Sequence, residues 1–226
     1  LEAVAGRIEA YGVRCLAREV NIRDIGAVDA VRTEALETFG RVDFLINNAG
    51  GQFLAAPLDI SDNGWRSVVD LNLNGTWNVT SRFMRPMLEA GSGAIVNVVH
   101  IYSFERGAPM FVHSGAARAG VVNLTRSLAP YLQQRNVRIN ALAPATTVSP
   151  AAAKNYGYTP DEWRATAERT RFAEPEEMAA IMLFLCSPAA AMLNGAVLTA
   201  DAAASQVNWP AYALDDLIDD VAGRFG

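Results

Sequence analysis

The sequence predicts an α/β domain, a doubly wound parallel sheet with helices on both faces. Three observations carry this: helical and strand patterns alternate along most of the chain, the strand segments are short and apolar, and 226 residues that are 51% apolar suffice for one large core. Strands alternating with helices of this length are joined by right-handed crossovers and so run parallel.

Each element has its own signal. Leu1, Val4, Ile8 and Tyr11 recur at helical spacing until Gly12, and Val13 to Val20 then reads as a strand. Asp24 is placed to cap a helix running through Val28, Val31 and Ala35 to Phe39, where Gly40 ends it, and Val42 to Ile46 is a short buried strand. Ser61-Asp-Asn-Gly-Trp65 opens a long helix reaching about Glu89, and Ala94 to Val99 is the strand after it. A helix over 110–133, a strand from Val137 to Leu142, a helix from Pro175 to Cys186 and a strand from Ala196 to Thr199 complete the alternation. No repeat or linker interrupts it. Residues 1–203 therefore read as one domain and 204–226 as an acidic tail, in which Leu214 to Val221 has the spacing of an amphipathic helix.

Composition excludes several function classes. A net charge of −5 and a pI near 5.1 leave no basic surplus for a phosphate backbone, so nucleic acid is not an expected partner. The uncharged stretch between Glu177 and Asp201 is broken by Ser187-Pro188 and by Asn194-Gly195, which makes it a core helix and a strand rather than a membrane span. Cys15 and Cys186 lack Cys-x-x-Cys spacing and read as buried free thiols of a reducing compartment. With only His100 and His113 to join them, no metal cluster is expected. The first ten residues have no signal-peptide pattern and look like the middle of a helix.

A sheet of this kind binds ligands beyond the carboxyl ends of its strands, so the segments after Ile46, Val99 and Leu142 are where chemistry is expected. The first is Asn47-Asn48-Ala49-Gly50-Gly51, whose small side chains let a flat or phosphorylated ligand approach the backbone closely.

Here the chain resembles the short-chain dehydrogenase/reductase superfamily, from its first residue to about Ala203. The motifs that carry the resemblance are Asn47-Asn-Ala-Gly50, Asn72 within Val-Asp-Leu-Asn-Leu-Asn-Gly, Gly93-Ala-Ile-Val-Asn97, Arg118 to Ala129, Val137 to Pro144, Glu174 to Ala179, Phe184 to Ser187 and Gly195 to Asp201. The resemblance implies a Rossmann-like fold, a nicotinamide cofactor and a homodimer or homotetramer. The usual Ser-Tyr-Lys set is absent: Ser114 stands where the Tyr would be, Arg118 replaces the Lys, and His100 lies near the usual Ser.

A branch that reduces enoyl and dienoyl thioesters of coenzyme A carries a Tyr in the loop after the second of these strands and Ser-x-x-x-Lys on the helix. Ile101-Tyr102 and Val112-His113-Ser114-Gly-Ala-Ala-Arg118 closely resemble its trans-2-enoyl-CoA reductase form. That resemblance implies an oxidoreductase acting on an acyl thioester with NADP, or NAD, in the cytoplasm or, in a eukaryote, the peroxisome. Tyr102 and Ser114 are then donors to the developing enolate, Asn72 organises the helix behind them, and Arg118 contributes fixed charge without relaying a proton. A carbonyl (ketoacyl) reductase and a non-catalytic dinucleotide-binding or assembly protein are the alternatives.

The implied cofactor contacts are Asn21, Asn47, Ala49, Gly50, Asn72, Arg118 and the loop Pro144, Ala145, Thr147 and Ser149, where Ala145 replaces the family's Gly and Ser149 its Thr. Residues 151–172 are expected to form a substrate lid, with Tyr156, Tyr158 and Trp163 over an acyl chain or in the core. The family's first strand, its Thr-Gly-x-x-x-Gly-x-Gly turn and the second strand are not in this sequence. Leu1 corresponds to the helix after them, roughly forty residues in, judged from βαβ lengths, so the sheet is expected to lack its first βαβ segment and the pyrophosphate its helix N-terminus.

Overall fold

A computed structural model describes residues 1–150, 153, 157–165 and 171–205. Its sheet has four parallel strands in the order β1-β2-β3-β4: β1 (Phe44–Asn47), β2 (Gly93–Val98), β3 (Val137–Pro144) and β4 (Val197–Ala200). The register pairs Ile46 with Val96, Val96 with Asn140, and Leu142 with Leu198.

Successive strand residues point to opposite faces, and both faces are covered over β2 and β3, whereas Phe44 and Ile46 leave one face of β1 exposed. Ile95 and Ile139 pack with Met87, Ala129 and Leu132, which belong to α4 (Gly75–Ala90) and α5 (Val112–Gln133). Val96 and Leu142 face the other way onto Leu185 and Cys186 of α7 (Pro175–Cys186). At the end of α7, the Arg138 guanidinium donates to the carbonyls of Leu185, Cys186, Ser187 and Ala190, so orphan helix-end acceptors are satisfied from within the sheet.

Local signals held well at the helix ends. Asp24 accepts from the backbone N–H groups of Gly26 and Ala27 and so caps α2 (Ile25–Phe39), and Gly40 closes it with φ 82°. Ser61 accepts from Gly64 to cap α3 (Asp62–Val69).

Five expectations need correction. The strand expected to be buried over Val42 to Ile46 is Phe44–Asn47, with Phe44 and Ile46 exposed because no described element packs over that face. Cys186 is buried, but Cys15 is only half-buried, in the segment that lies on α2. The segment from Val13 to Val20 is not a strand. A strand exists through a neighbour's backbone groups, and no described segment pairs with this one; it lies on α2 instead. There Arg14 donates to the Thr38 carbonyl at 2.7 Å and stacks over Phe39, and Arg18 pairs with Glu34. The helix expected from Ser61 to Glu89 is two helices: a π turn over Asp70–Asn74 separates α3 from α4. The helix expected over 110–133 begins at Val112, after a 3₁₀ turn over Pro109–Phe111. The remaining elements are α1 (Glu2–Glu9) and α6 (Pro160–Ala165). The acidic tail beyond Ser205 and Tyr156 lie outside the described residues.

All four strands end on one edge of the sheet, which gathers the loops after β1, β2 and β3. The third of these is pinned by a bridge between Thr147 and Ala173 and by the bond from the Ala145 N–H to the Ala200 carbonyl at 2.8 Å.

Candidate active site

Asn72 sits inside the π turn, buried, with its carboxamide fully engaged. Its Nδ2 donates to the carbonyls of Gly51 (2.7 Å) and Val68 (2.8 Å), and its Oδ1 accepts from the Gly51 N–H at 3.2 Å. One side chain thus locks both backbone groups of Gly51, and with them the loop after β1. The extra residue in a π turn re-aims the side chains around it, and here the carboxamide at its centre reaches that loop.

Arg118 projects from the second turn of α5 into the same region. Its guanidinium donates from Nη1 to the Val98 carbonyl at the end of β2, and its Nε is buried without a partner. Burial pulls its pKa down to about 10, so the group stays cationic at neutral pH. Gly50 makes the arrangement fit. A Cβ there would lie 2.7 Å from Asn72 Oδ1 and 3.3 Å from Arg118 Cζ, and closer still to Arg118 Nη2.

Asn47 is committed to the interior. Its Nδ2 donates to Thr80 Oγ1 (2.9 Å) and Asn97 Oδ1 (2.7 Å), Asn97 Nδ2 donates to Thr125 Oγ1 (2.9 Å), and Thr125 closes on the Val121 carbonyl. This buried chain ties β1 and β2 to α4 and α5, so Asn47 positions the loop and offers a ligand its backbone rather than its side chain.

The second cluster surrounds Ser114, which is fully buried at the start of α5. Its hydroxyl donates to Gln52 Oε1 at 2.7 Å and lies 3.1 Å from His100 Nε2; Ser103 Oγ lies 3.4 Å from His100 Nδ1. Burial first, and the Arg118 cation second, push the His100 pKa down to about 4, so the imidazole is neutral at physiological pH. The Tyr102 ring meets His100 edge-on at 5.4 Å, stacks on Phe111 at 6.0 Å and lies under the Arg106 guanidinium. Its hydroxyl bonds neither Ser114 nor Arg118. His113 is buried edge-on against Phe53 at 4.5 Å, and neither of its ring nitrogens has a hydrogen-bond partner.

The structure therefore brings Asn72, Gly50 and Arg118 into one contact set and joins Ser114 to His100. Ala49 and Gly50 are exposed on the loop between the strand ends. In the loop after β3, Pro144 ends the strand, Ala145 is fixed to β4, Thr147 donates to the Ala145 carbonyl at 3.0 Å, and Ser149 accepts the Ala153 N–H through its carbonyl. Asn21 stands apart: it is exposed, and its Oδ1 accepts from the backbone N–H and Nε of Arg23. Trp163 belongs to the core, edge-on to Phe172, whereas Tyr158 is exposed. Gln52 and Ser103 were not legible as site residues, since neither carries a motif. His100 was marked only by standing where a serine was expected.

These residues fit the nicotinamide and ribose end of a dinucleotide. The exposed backbone of Ala49 and Gly50 allows a close approach from the solvent side, and the Arg118 guanidinium packed against Gly50 places a cation beside it.

Residues 1–204 match the family described as enoyl-(acyl carrier protein) reductase. The chain is 32% identical over 206 residues to a probable 2,4-dienoyl-CoA reductase of Bacillus subtilis, covering 89% of this chain and 81% of that one. It is 31% identical over 204 residues to a 3-oxoacyl-[acyl-carrier-protein] reductase of Thermotoga maritima, covering 88% and 78%. Among solved structures, a short chain dehydrogenase from Bacillus anthracis superposes with a TM-score of 0.76 at 29% identity, covering 91% of this chain and 83% of that chain.

Proposed function

The chain belongs to the short-chain dehydrogenase/reductase superfamily, as a nicotinamide-dependent oxidoreductase with a small-molecule substrate, and on that premise we propose that it reduces the carbon–carbon double bond of an enoyl or dienoyl thioester of coenzyme A with NADP, or NAD, as cofactor. One observation carries the reading: a serine, Ser114, and a fixed cation, Arg118, stand where carbonyl reductases of the family keep a tyrosine and a lysine. Reducing a ketone leaves an alkoxide, a strong base that calls for an acid of matched pKa beside it. Reducing an enoyl thioester leaves an enolate delocalised over the thioester, which donors and positive charge aimed at its oxygen stabilise. Ser114 and Arg118 are groups of the second kind.

The bound cofactor supplies the hydride. Gly50 and Ala49 admit its nicotinamide end, Arg118 binds its ribose and places a positive charge near the reacting centre, and the loop Pro144 to Ser149 covers it. Asn72 is a positioning residue, holding Gly51 and hence the loop on which the ring rests. Ser114 donates to the thioester oxygen. Tyr102 is the second donor, on a 3₁₀ turn (Ile101–Ser103) that brings it to the mouth of the site. The protein acts as a homodimer or homotetramer paired through α4 and α5, whose exposed Trp77, Val112 and Tyr131 are the apolar surface left uncovered.

The natural full-length protein is to be given NADPH with crotonyl-CoA, a 2,4-dienoyl-CoA and acetoacetyl-CoA. NADPH oxidation with the first two, reduced in Tyr102→Phe and Ser114→Ala, is expected. Turnover of acetoacetyl-CoA alone makes the protein a ketoacyl reductase, and dinucleotide binding without turnover of any of the three makes it non-catalytic.

A further inference from the structure

The hydrogen bonds around Ser114 have one consistent direction. Ser114 has a single proton, and it goes to Gln52 Oε1, an atom that only accepts. The 3.1 Å contact with His100 Nε2 is then a bond in which Nε2–H donates to the serine oxygen. In this arrangement His100 Nδ1 carries no proton and accepts from the Ser103 hydroxyl, in competition with the tautomer whose ring N–H donates to the His100 backbone carbonyl. The four groups form a polarised chain, Ser103 to His100 to Ser114 to Gln52, built from the loop after β2, the start of α5 and the loop after β1.

The end of that chain is informative. Gln52 Oε1 is a carboxamide oxygen on an exposed residue, 2.7 Å from a fully buried hydroxyl. It occupies the position that a substrate carbonyl oxygen would take to receive the same proton. An exposed side chain can leave, whereas Ser114 and His100 are held by the fold.

We infer that His100 is the proton-handling partner of Ser114, which in this chain takes over the relay that Arg118 cannot perform, and that Gln52 holds the place of the substrate oxygen until substrate displaces it. The inference rests on the thioester reading above. As hydride reaches the β-carbon and the enolate forms, the Ser114 O–H gives its proton to the thioester oxygen. The His100 Nε2–H gives its proton to Ser114, and Nδ1 takes one from Ser103, which regains it from water. The imidazole ends neutral in its other tautomer. The enol then becomes the saturated thioester by taking a proton from water at the α-carbon while its oxygen proton returns through Ser114, His100 and Ser103, which restores the starting tautomer. The charge acting on the imidazole comes from Arg118 on α5, and it opposes an imidazolium while leaving a neutral shuttle intact.

The test has two parts. Ring-¹⁵N NMR needs no substrate and resolves two histidines, assigned with H100N. It is expected to show His100 protonated on Nε2 at pH 7, with that signal shifted in S114A; an Nδ1-protonated ring, or no shift in S114A, overturns the chain. Single-turnover reduction in the natural full-length protein is expected to fall about 10²-fold in H100N, the order typical of a proton-transfer partner, with substrate Kd unchanged. In H100A, added imidazole is expected to restore the rate in proportion to its neutral form. A rate within threefold of wild type in H100N, or no rescue in H100A, overturns the relay. If the wild type turns over only acetoacetyl-CoA, the enoyl reading fails, and the same variants run on that substrate still decide the role of His100. If it turns over no acyl substrate, both the enoyl reading and the relay fail, and the NMR result decides the hydrogen-bond chain alone.

Discussion

Gly50→Ala is the sharpest structural perturbation, because its sign depends on the packing of Arg118 and Asn72. Gly50 has no positive φ, so an alanine suffers no backbone strain there, and reduced freedom of the unfolded chain would by itself stabilise by ~0.4–1 kcal/mol. The site reverses this. The added Cβ would fall 2.7 Å from Asn72 Oδ1, which the Gly51 N–H holds, and closer still to an Arg118 nitrogen whose guanidinium is bonded to Val98. Neither neighbour moves without losing a part-buried hydrogen bond. Overpacking of this kind costs ~1–3 kcal/mol, so G50A is expected to lower Tm by about 5 °C for a chain of this size. Arg118→Lys removes the nearer neighbour, so G50A should cost at least ~1 kcal/mol less in that background, a coupling typical of residues in contact. The assay is urea unfolding of the four proteins of the cycle. A G50A variant as stable as wild type or more stable, or costs that simply add, would refute the packing argument.

Three further outcomes follow from the same structure. Asn97→Val strands one Asn47 N–H and removes a donor to Thr125, and it is expected to cost ~2 kcal/mol in denaturant unfolding; a loss below ~0.5 kcal/mol would mean the chain is not a structural tie. The folded pKa of His100, about 4, lies below its unfolded value near 6.5, so the unfolded chain binds more protons between those limits and stability falls as pH drops from 6.5 to 4, by up to ~3 kcal/mol. H100N should lose correspondingly less over that range in equilibrium unfolding, and equal losses would count against the buried neutral imidazole. Light scattering at micromolar concentration should show a dimer or tetramer, with Trp77→Glu shifting it toward monomer; a wild-type monomer contradicts pairing through α4 and α5.

The sequence was most legible where one local interaction decides the outcome. Asp24 and Ser61 started helices and Gly40 ended one as their chemistry requires, and Pro175 to Cys186 formed the helix read from its apolar run and the Ser187-Pro188 stop. Val13 to Val20 misled because strand propensity says nothing about whether a neighbour is present to complete the ladder. The π turn was hidden because Asp70 to Asn74 carries no breaker, and the turn is set by where Asn72 must reach. In the site, the Ser114-x-x-x-Arg118 spacing was legible because one helix displays both residues on one face. The bonds from Ser114 to His100 and Gln52 were not, because they join three segments whose approach the tertiary fold alone determines.

The claim that the reacting bond is a carbon–carbon double bond meets its most direct test in a competition. Equal concentrations of crotonyl-CoA and acetoacetyl-CoA are supplied with NADPH deuterated at the transferable position of C4, and the products are read by mass spectrometry. The account predicts deuterated butyryl-CoA as the main product, and deuterated 3-hydroxybutyryl-CoA in its place would contradict it.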